Sequence, residues 1–250
     1  MKYLLVSLIF LFLLSPFANA KNNDYHGSSF LNENLKIGLG LAYSKLETST
    51  AVGNYFLLSQ ANPRLEMNYD TGVQNEFRQR YSLYVKRELF RPENNQLVLR
   101  TKTEHTNYGL AWSPMWVSEG QGYSYGFKFA AKAGSIISEI PNTFYPNGDI
   151  GTRYSAEGGI AYSWYGETVA KFPLSLNFEV LYSQSLLTNS IFDYYNGFIY
   201  RFSLEFDFKK KTIFSGWNLR AYYEYEDIAT SNKNMVDKDL GIVLCKVFTF

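Results

Sequence analysis

The sequence predicts an all-β fold, a transmembrane antiparallel up-and-down β-barrel whose outer wall meets an apolar solvent. Three observations predict it. Apolar residues recur at every second position through most of the chain, the period of a strand with two unlike faces. Aromatics make up 18% of the 250 residues, with 21 Tyr and 20 Phe, yet mean hydropathy is −0.22. Alternation gives that balance when one face meets hydrocarbon and the other water. Beyond the N-terminal segment, no run approaches the roughly 18 apolar residues of a transmembrane helix. A secreted β-sandwich has similar averages, so the placement of apolar residues along each strand decides.

The chain opens with a short positive stretch, Met1-Lys2, an apolar stretch from Tyr3 to Leu14, and the small-x-small site Ala18-Asn19-Ala20. Residues 1–20 are expected to be a cleaved signal peptide; the apolar stretch is shorter than the ~20 residues of a spanning anchor. Lys21 follows the site, where a lipoprotein has Cys. Residues 21–34, polar with Gly27, Ser28 and Ser29, are expected to form a lead-in or short plug, and 35–250 the barrel.

Leu35, Ile37, Leu39, Leu41 and Tyr43 alternate cleanly with Lys36, Gly38, Gly40 and Ala42. After a small-residue connection from Glu47 to Asn54, Tyr55 to Ala61 and Arg64 to Tyr69 are strand-like. Pro63 between them requires a bulge or a turn, since proline cannot donate to a ladder. Asp70-Thr71-Gly72 turns the chain into a run with Phe77, Tyr81, Leu83, Val85 and Leu89 outward. Leu97 to Thr103 continues outward in odd phase, then Tyr108, Leu110 and Trp112 in even phase, so a bulge or tight turn is expected at His105 to Asn107. Tyr123, Tyr125, Phe127 and Phe129 form the next outward face. Ile140 to Gly151, with two Pro, two Asn and Gly148, is the expected extended loop. Strands are expected at Tyr154 to Trp164, Leu174 to Leu186, Tyr194 to Phe208 and Trp217 to Tyr225.

The last run, KDLGIVLCKVFTF from Lys238 to Phe250, places Leu240, Ile242, Leu244, Phe248 and Phe250 on one face. It resembles the C-terminal strand of Gram-negative outer-membrane β-barrels, a terminal Phe preceded by alternating apolar residues. That resemblance implies an outer-membrane location, an assembly signal read by the insertion machinery, and termini in the periplasm. Lys246, on the outward phase, departs from the pattern and is expected at the headgroups, where its ammonium can snorkel. Because lipid tolerates no open edge, Leu35 to Tyr43 is the expected partner of this strand. The runs number ten, or twelve if both doubtful points turn; an even number suits the class, and twelve is preferred with ten as the alternative.

The inward charges divide. The runs from Glu76 to Lys132 contribute Arg78, Arg80, Lys86, Arg100, Lys102, Lys128 and Lys132 against Glu76, Glu88 and Glu104. Those from Arg153 to Glu226 contribute Glu157, Glu179, Glu205, Asp207, Glu224 and Glu226 against Arg153, Arg201 and Arg220. Opposed rows in an open lumen make a constriction that selects polar solutes; rows that meet fill a narrow barrel with salt bridges.

Other chemistry finds little support. Net charge +1 argues against a nucleic-acid partner, and Cys245, the only cysteine, forms no intrachain disulfide and reads as a small packing residue. No cofactor or clustered metal ligands are expected. His105-Thr106-Asn107 weakly resembles the His, Ser and Asn constellation of outer-membrane phospholipases, but the residue two after the His is not Ser. Omptin-type proteases use paired acids and a histidine at the rim, an arrangement not expected with only His26 and His105. Glu224 and Glu226 share a face, where solvated carboxylates are commoner than an acid–base pair. The four Trp fit an interfacial belt better than a sugar slide. The expectation is a small passive channel for polar or charged solutes. The first alternative is a closed structural or surface-interaction barrel, similar to an autotransporter barrel without passenger, and the second a lipid-active enzyme. The expected partners are outer-membrane lipids and the insertion machinery.

Overall fold

Alternation resolves into ten strands. The computed structural model describes residues 33–50, 53–92, 103–118, 122–139, 149–167, 173–188, 192–208, 216–230 and 234–249. The expected signal peptide and most of the expected lead-in lie outside the described residues. The strands are β1 (Glu33–Thr50), β2 (Gly53–Thr71), β3 (Phe77–Pro92), β4 (Thr103–Ser118), β5 (Tyr123–Glu139), β6 (Asp149–Glu167), β7 (Pro173–Thr188), β8 (Phe192–Asp207), β9 (Trp217–Ala229) and β10 (Asn234–Thr249). Each pairs with the next and β10 pairs with β1, closing an antiparallel up-and-down barrel. The strands outrun the sequence boundaries: β1 and β2 absorb most of the connection expected from Glu47 to Asn54, Glu33 and Asn34 open β1, and Asp149 to Gly151 begin β6. The rest of the expected extended loop, 140–148, lies outside the described residues.

Twelve strands were one reading too many, because neither doubtful point turns. At the first, Ala42 pairs with Asn62 but Ser44 with Ser59, so β2 carries one extra residue and bulges at Gln60-Ala61. Ala61 adopts φ 55°. Side chains replace the lost ladder bonds: the Leu89 amide donates to Ser59 Oγ at 2.7 Å, the Ser59 hydroxyl donates to Asn62, and Asn62 Nδ2 donates to Ser44 Oγ at 2.7 Å. Pro63, beside the bulge, forfeits its donor where pairing to β3 is already interrupted. At the second point, β4 runs in unbroken register against β3 from Thr103 opposite Phe90 to Trp116 opposite Phe77. The odd-phase residues up to Thr101 lie outside the described residues, and within β4 the phase is uniform. Glu104 therefore faces outward, not inward, where it pairs with Arg87 at 2.6 Å. Glu76 sits in the β2–β3 turn with φ 62°, not on the wall.

Following paired residues once round the barrel, Ile37 leads through Met67, Leu83, Leu110, Ala131, Ala156, Gln184, Asn196, Ala229 and Asn234 to Ser49, a stagger of 12 residues. Some 40 Å of stagger over ~48 Å of strand spacing is a tilt of about 40°, and the Cα diameter is about 20 Å.

The outer wall is a belt of exposed apolar side chains. From Leu35 to Tyr43 it runs about 26 Å along the strand, or about 20 Å along the barrel axis, near the ~25 Å band of membrane barrels. At the end where β1 begins and β10 finishes, the base, Trp116 and Trp164 lie near strand ends and Trp217 opens β9. Lys246 lies there too, its Nζ 5.4 Å from the Trp217 ring centroid, as its phase and snorkelling required. At the far end the belt stops at outward charges, among them Glu47 with Lys238 at 2.6 Å. Leu35 opposite Phe248 and Tyr43 opposite Leu240 form the expected closing seam.

Candidate functional site

The inner wall holds long charged side chains, and in a barrel of this width they meet across the lumen. At the base, Arg78, fully buried, donates to Asp70 at 3.1 Å, to Ser124 Oγ at 3.2 Å and to Tyr165. Arg80 also reaches Asp70, and Lys36 pairs with Glu205. Asp207 closes β8 at the same end, on the inward phase.

Above this level Glu66 on β2 pairs with Arg64 at 3.1 Å and with Arg220. The Arg64 guanidinium lies between two rings, 4.2 Å from the centroid of Tyr84 and 4.7 Å from that of Tyr222. Tyr84 can lie flat against the wall because its partner in the next strand is Gly109, where a Cβ would stand 2.1 Å from the ring. Cys245 is buried beside Ala42, Tyr222 and Val243, the small packing residue its phase implied.

Two residues of the basic row, Lys128 and Lys132, meet residues of the acidic row at mid-height. Lys128 on β5 pairs with Glu179 on β7 at 2.8 Å. Lys132 reaches Glu157 at 3.0 Å and, across the lumen, Glu224 at 2.7 Å. Arg201 binds Glu224 at 2.6 Å, Glu157 at 2.7 Å and Glu179 at 3.6 Å, and Arg153 pairs with Glu226. Lys86 bridges Glu88, at 2.9 Å, and Asp239. The column leaves interior spaces of about 100, 50 and 30 Å³. Arg100, Lys102 and Phe250 lie outside the described residues.

Above the charges an apolar layer crosses the far end. Leu46, Leu57 and Phe90 from β1–β3 pack in one buried cluster with Leu187, Tyr195, Ile228 and Met235 from β7–β10. His105 stands edge-on to Phe90, with centroids 5.3 Å apart, and its Nδ1–H donates to the Ser135 carbonyl at 2.9 Å. His105 also lines the ~50 Å³ space, together with Lys86, Glu88, Asp237 and Asp239. Among the described residues, no group of three or more His, Cys, Asp or Glu is placed to hold a metal ion.

No family model and no curated protein matches the chain. Solved structures do. The outer membrane protease OmpT of Escherichia coli aligns over 88% of this chain and 97% of its own, with a TM-score of 0.52 at 10% identity. The chain has the outer-membrane β-barrel fold. Looser matches are Ail, the attachment invasion locus protein of Yersinia pestis, with TM-score 0.34 and 13% identity over 86% of this chain and 99% of that one, and the translocator domain of the autotransporter NalP from Neisseria meningitidis, with TM-score 0.39 and 8% identity over 96% and 95%.

For this outer-membrane β-barrel, the inward phase was legible wherever a strand was regular. Missed were Arg64, Glu66 and Asp70, on a strand that the sequence alone left open between a bulge and a turn at Pro63, and Asp237 and Asp239. Those two share the parity of Cys245 in β10: Asp239 already lies in the run from Lys238, and extending that run back by one residue adds Asp237.

Proposed function

We propose that the protein is a closed, non-conducting barrel of the Gram-negative outer membrane, serving as a structural or surface-interaction element through its lipid wall and external connections. The observation that carries this reading is the lumen, where paired charges run from Asp70 and Arg78 at the base to Lys86 and Asp239, under an apolar layer from opposite walls. A constriction that passes solutes keeps its charged rows apart in water; here Lys128 and Lys132 meet Glu179, Glu157 and Glu224, while Arg78, Arg80 and Lys86 are paired by Asp70, Glu88 and Asp239. The reading involves no catalytic step: Glu224 and Glu226 engage Arg201, Lys132 and Arg153 rather than each other. Its partners are outer-membrane lipids and, during insertion, the assembly machinery that meets Leu240, Ile242, Leu244 and Phe248.

Planar-bilayer recording tests it. Folded protein, identified by heat-modifiable gel mobility, is expected to give no discrete conductance. Reproducible unitary steps from that material would restore the passive-channel reading.

A further inference from the structure

The lipid-facing wall is not uniform. Across β5 and β6 three outward positions in contact with one another are small: Ala131 pairs with Ala156, and Ala133 follows Ala131 on the same face of β5. Their flanks are bulky. Tyr108 and Leu110, both more than half exposed, stand on β4 opposite Ala133 and Ala131; Leu186 and Tyr194 stand on β7 and β8. The result is an open groove of about 740 Å³.

The groove belongs to the membrane face. Its floor and walls lie in the same outward phase as the belt and are continuous with Leu83 on one side, so what fills it is what covers the belt, hydrocarbon. Its rim has its own chemistry. Elsewhere the belt ends at ion pairs such as Arg87 with Glu104 and Lys238 with Glu47. Beside the groove two uncharged amides, Gln184 and Asn196, which are direct cross-strand partners and line the same groove, interrupt the outward row between the Tyr182–Phe198 and Leu186–Tyr194 pairs. Side-chain amides both donate and accept, which suits the ester or amide carbonyls and hydroxyls at the root of an acyl chain.

We propose that this groove is a binding site for one acyl chain of a membrane lipid, with Gln184 and Asn196 hydrogen-bonding the polar root of that chain. The inference deepens the closed-barrel reading by naming a partner for its outer wall, and rests on it only in taking the chain as membrane-embedded.

Native mass spectrometry of protein purified from membranes in mild detergent tests the site. The wild type is expected to retain a bound lipid. Ala131→Leu with Ala156→Leu fills the floor, displaces contact with about two methylenes and is expected to reduce retention roughly tenfold. Ala221→Leu, outward on β9 away from the groove, is expected to change nothing, and heat-modifiable mobility verifies that every variant folds. Gln184→Leu with Asn196→Leu is expected to change which lipids are retained. Unaltered retention in the filled variant, or equal loss in Ala221→Leu, would overturn the proposal. So would a dimer dispersed by filling the groove, which would assign the face to a second copy. Conductance with lipid still retained counts only against the closed barrel; a silent barrel without retained lipid counts only against this site.

Discussion

The lumenal carboxylates differ in what their loss leaves behind. Glu157 is buried between Arg201 and Lys132, yet both cations have other carboxylates in reach, Glu179 and Glu224 for the first, Glu224 for the second. Glu66 is different: among the described residues it is the carboxylate that ion-pairs both Arg64 and Arg220. Removing one partner of a buried pair costs about 3–5 kcal/mol because the remaining charge stays buried, whereas a charge that keeps another partner loses nearer 1.5–3 kcal/mol, the worth of a charged hydrogen bond. Glu66→Leu is therefore expected to destabilise the barrel more than Glu157→Leu, measured as the urea midpoint of reversible unfolding in liposomes. Equal losses would mean that Arg64, held between Tyr84 and Tyr222, takes most of its stabilisation from the rings rather than from Glu66.

At the scale of the strand, phase was readable and continuity was not. Leu35 to Tyr43 and Leu240 to Phe248 showed their faces, and even their mutual pairing, because lipid on one side enforces strict alternation. A bulge and a turn both shift that alternation by one, and they differ only in where the backbone bonds go. In β2 those bonds go to Ser59 and Asn62, polar residues that read equally well as loop. The bulge also holds Ala61 at φ 55°, the left-handed region where a Cβ costs ~1 kcal/mol. Ala61→Gly is expected to stabilise the fold by up to that amount, less the entropy glycine adds to the unfolded chain. A clear loss of stability by the same urea assay would mean that the Ala61 methyl, exposed on the lipid face, contributes more packing than the backbone conformation costs.

For the whole molecule, the decisive quantity is how many barriers stand in series along the axis. A ten-strand barrel is only slightly wider than one whose interior side chains fill outright, so long Arg, Lys and Glu side chains suffice to block it where they pair. The apolar layer is a separate barrier, since residues such as Leu187 and Ile228 exclude water without any charge. If both seal independently, breaching one leaves the barrel silent. Leu187→Ser with Ile228→Ser wets the far end but leaves the charge column, and is expected to give no conductance. Glu157→Gln with Glu224→Gln removes two of the negative charges that draw Lys132 and Arg201 together and leaves their positive charges in excess in the lumen, while the apolar layer stays shut. That variant is also expected to be silent. Only the four substitutions together are expected to give discrete, anion-preferring steps in planar bilayers. Conductance from the apolar-layer variant alone would show that the paired charges are a filter rather than a plug, and would move this barrel back to the channels.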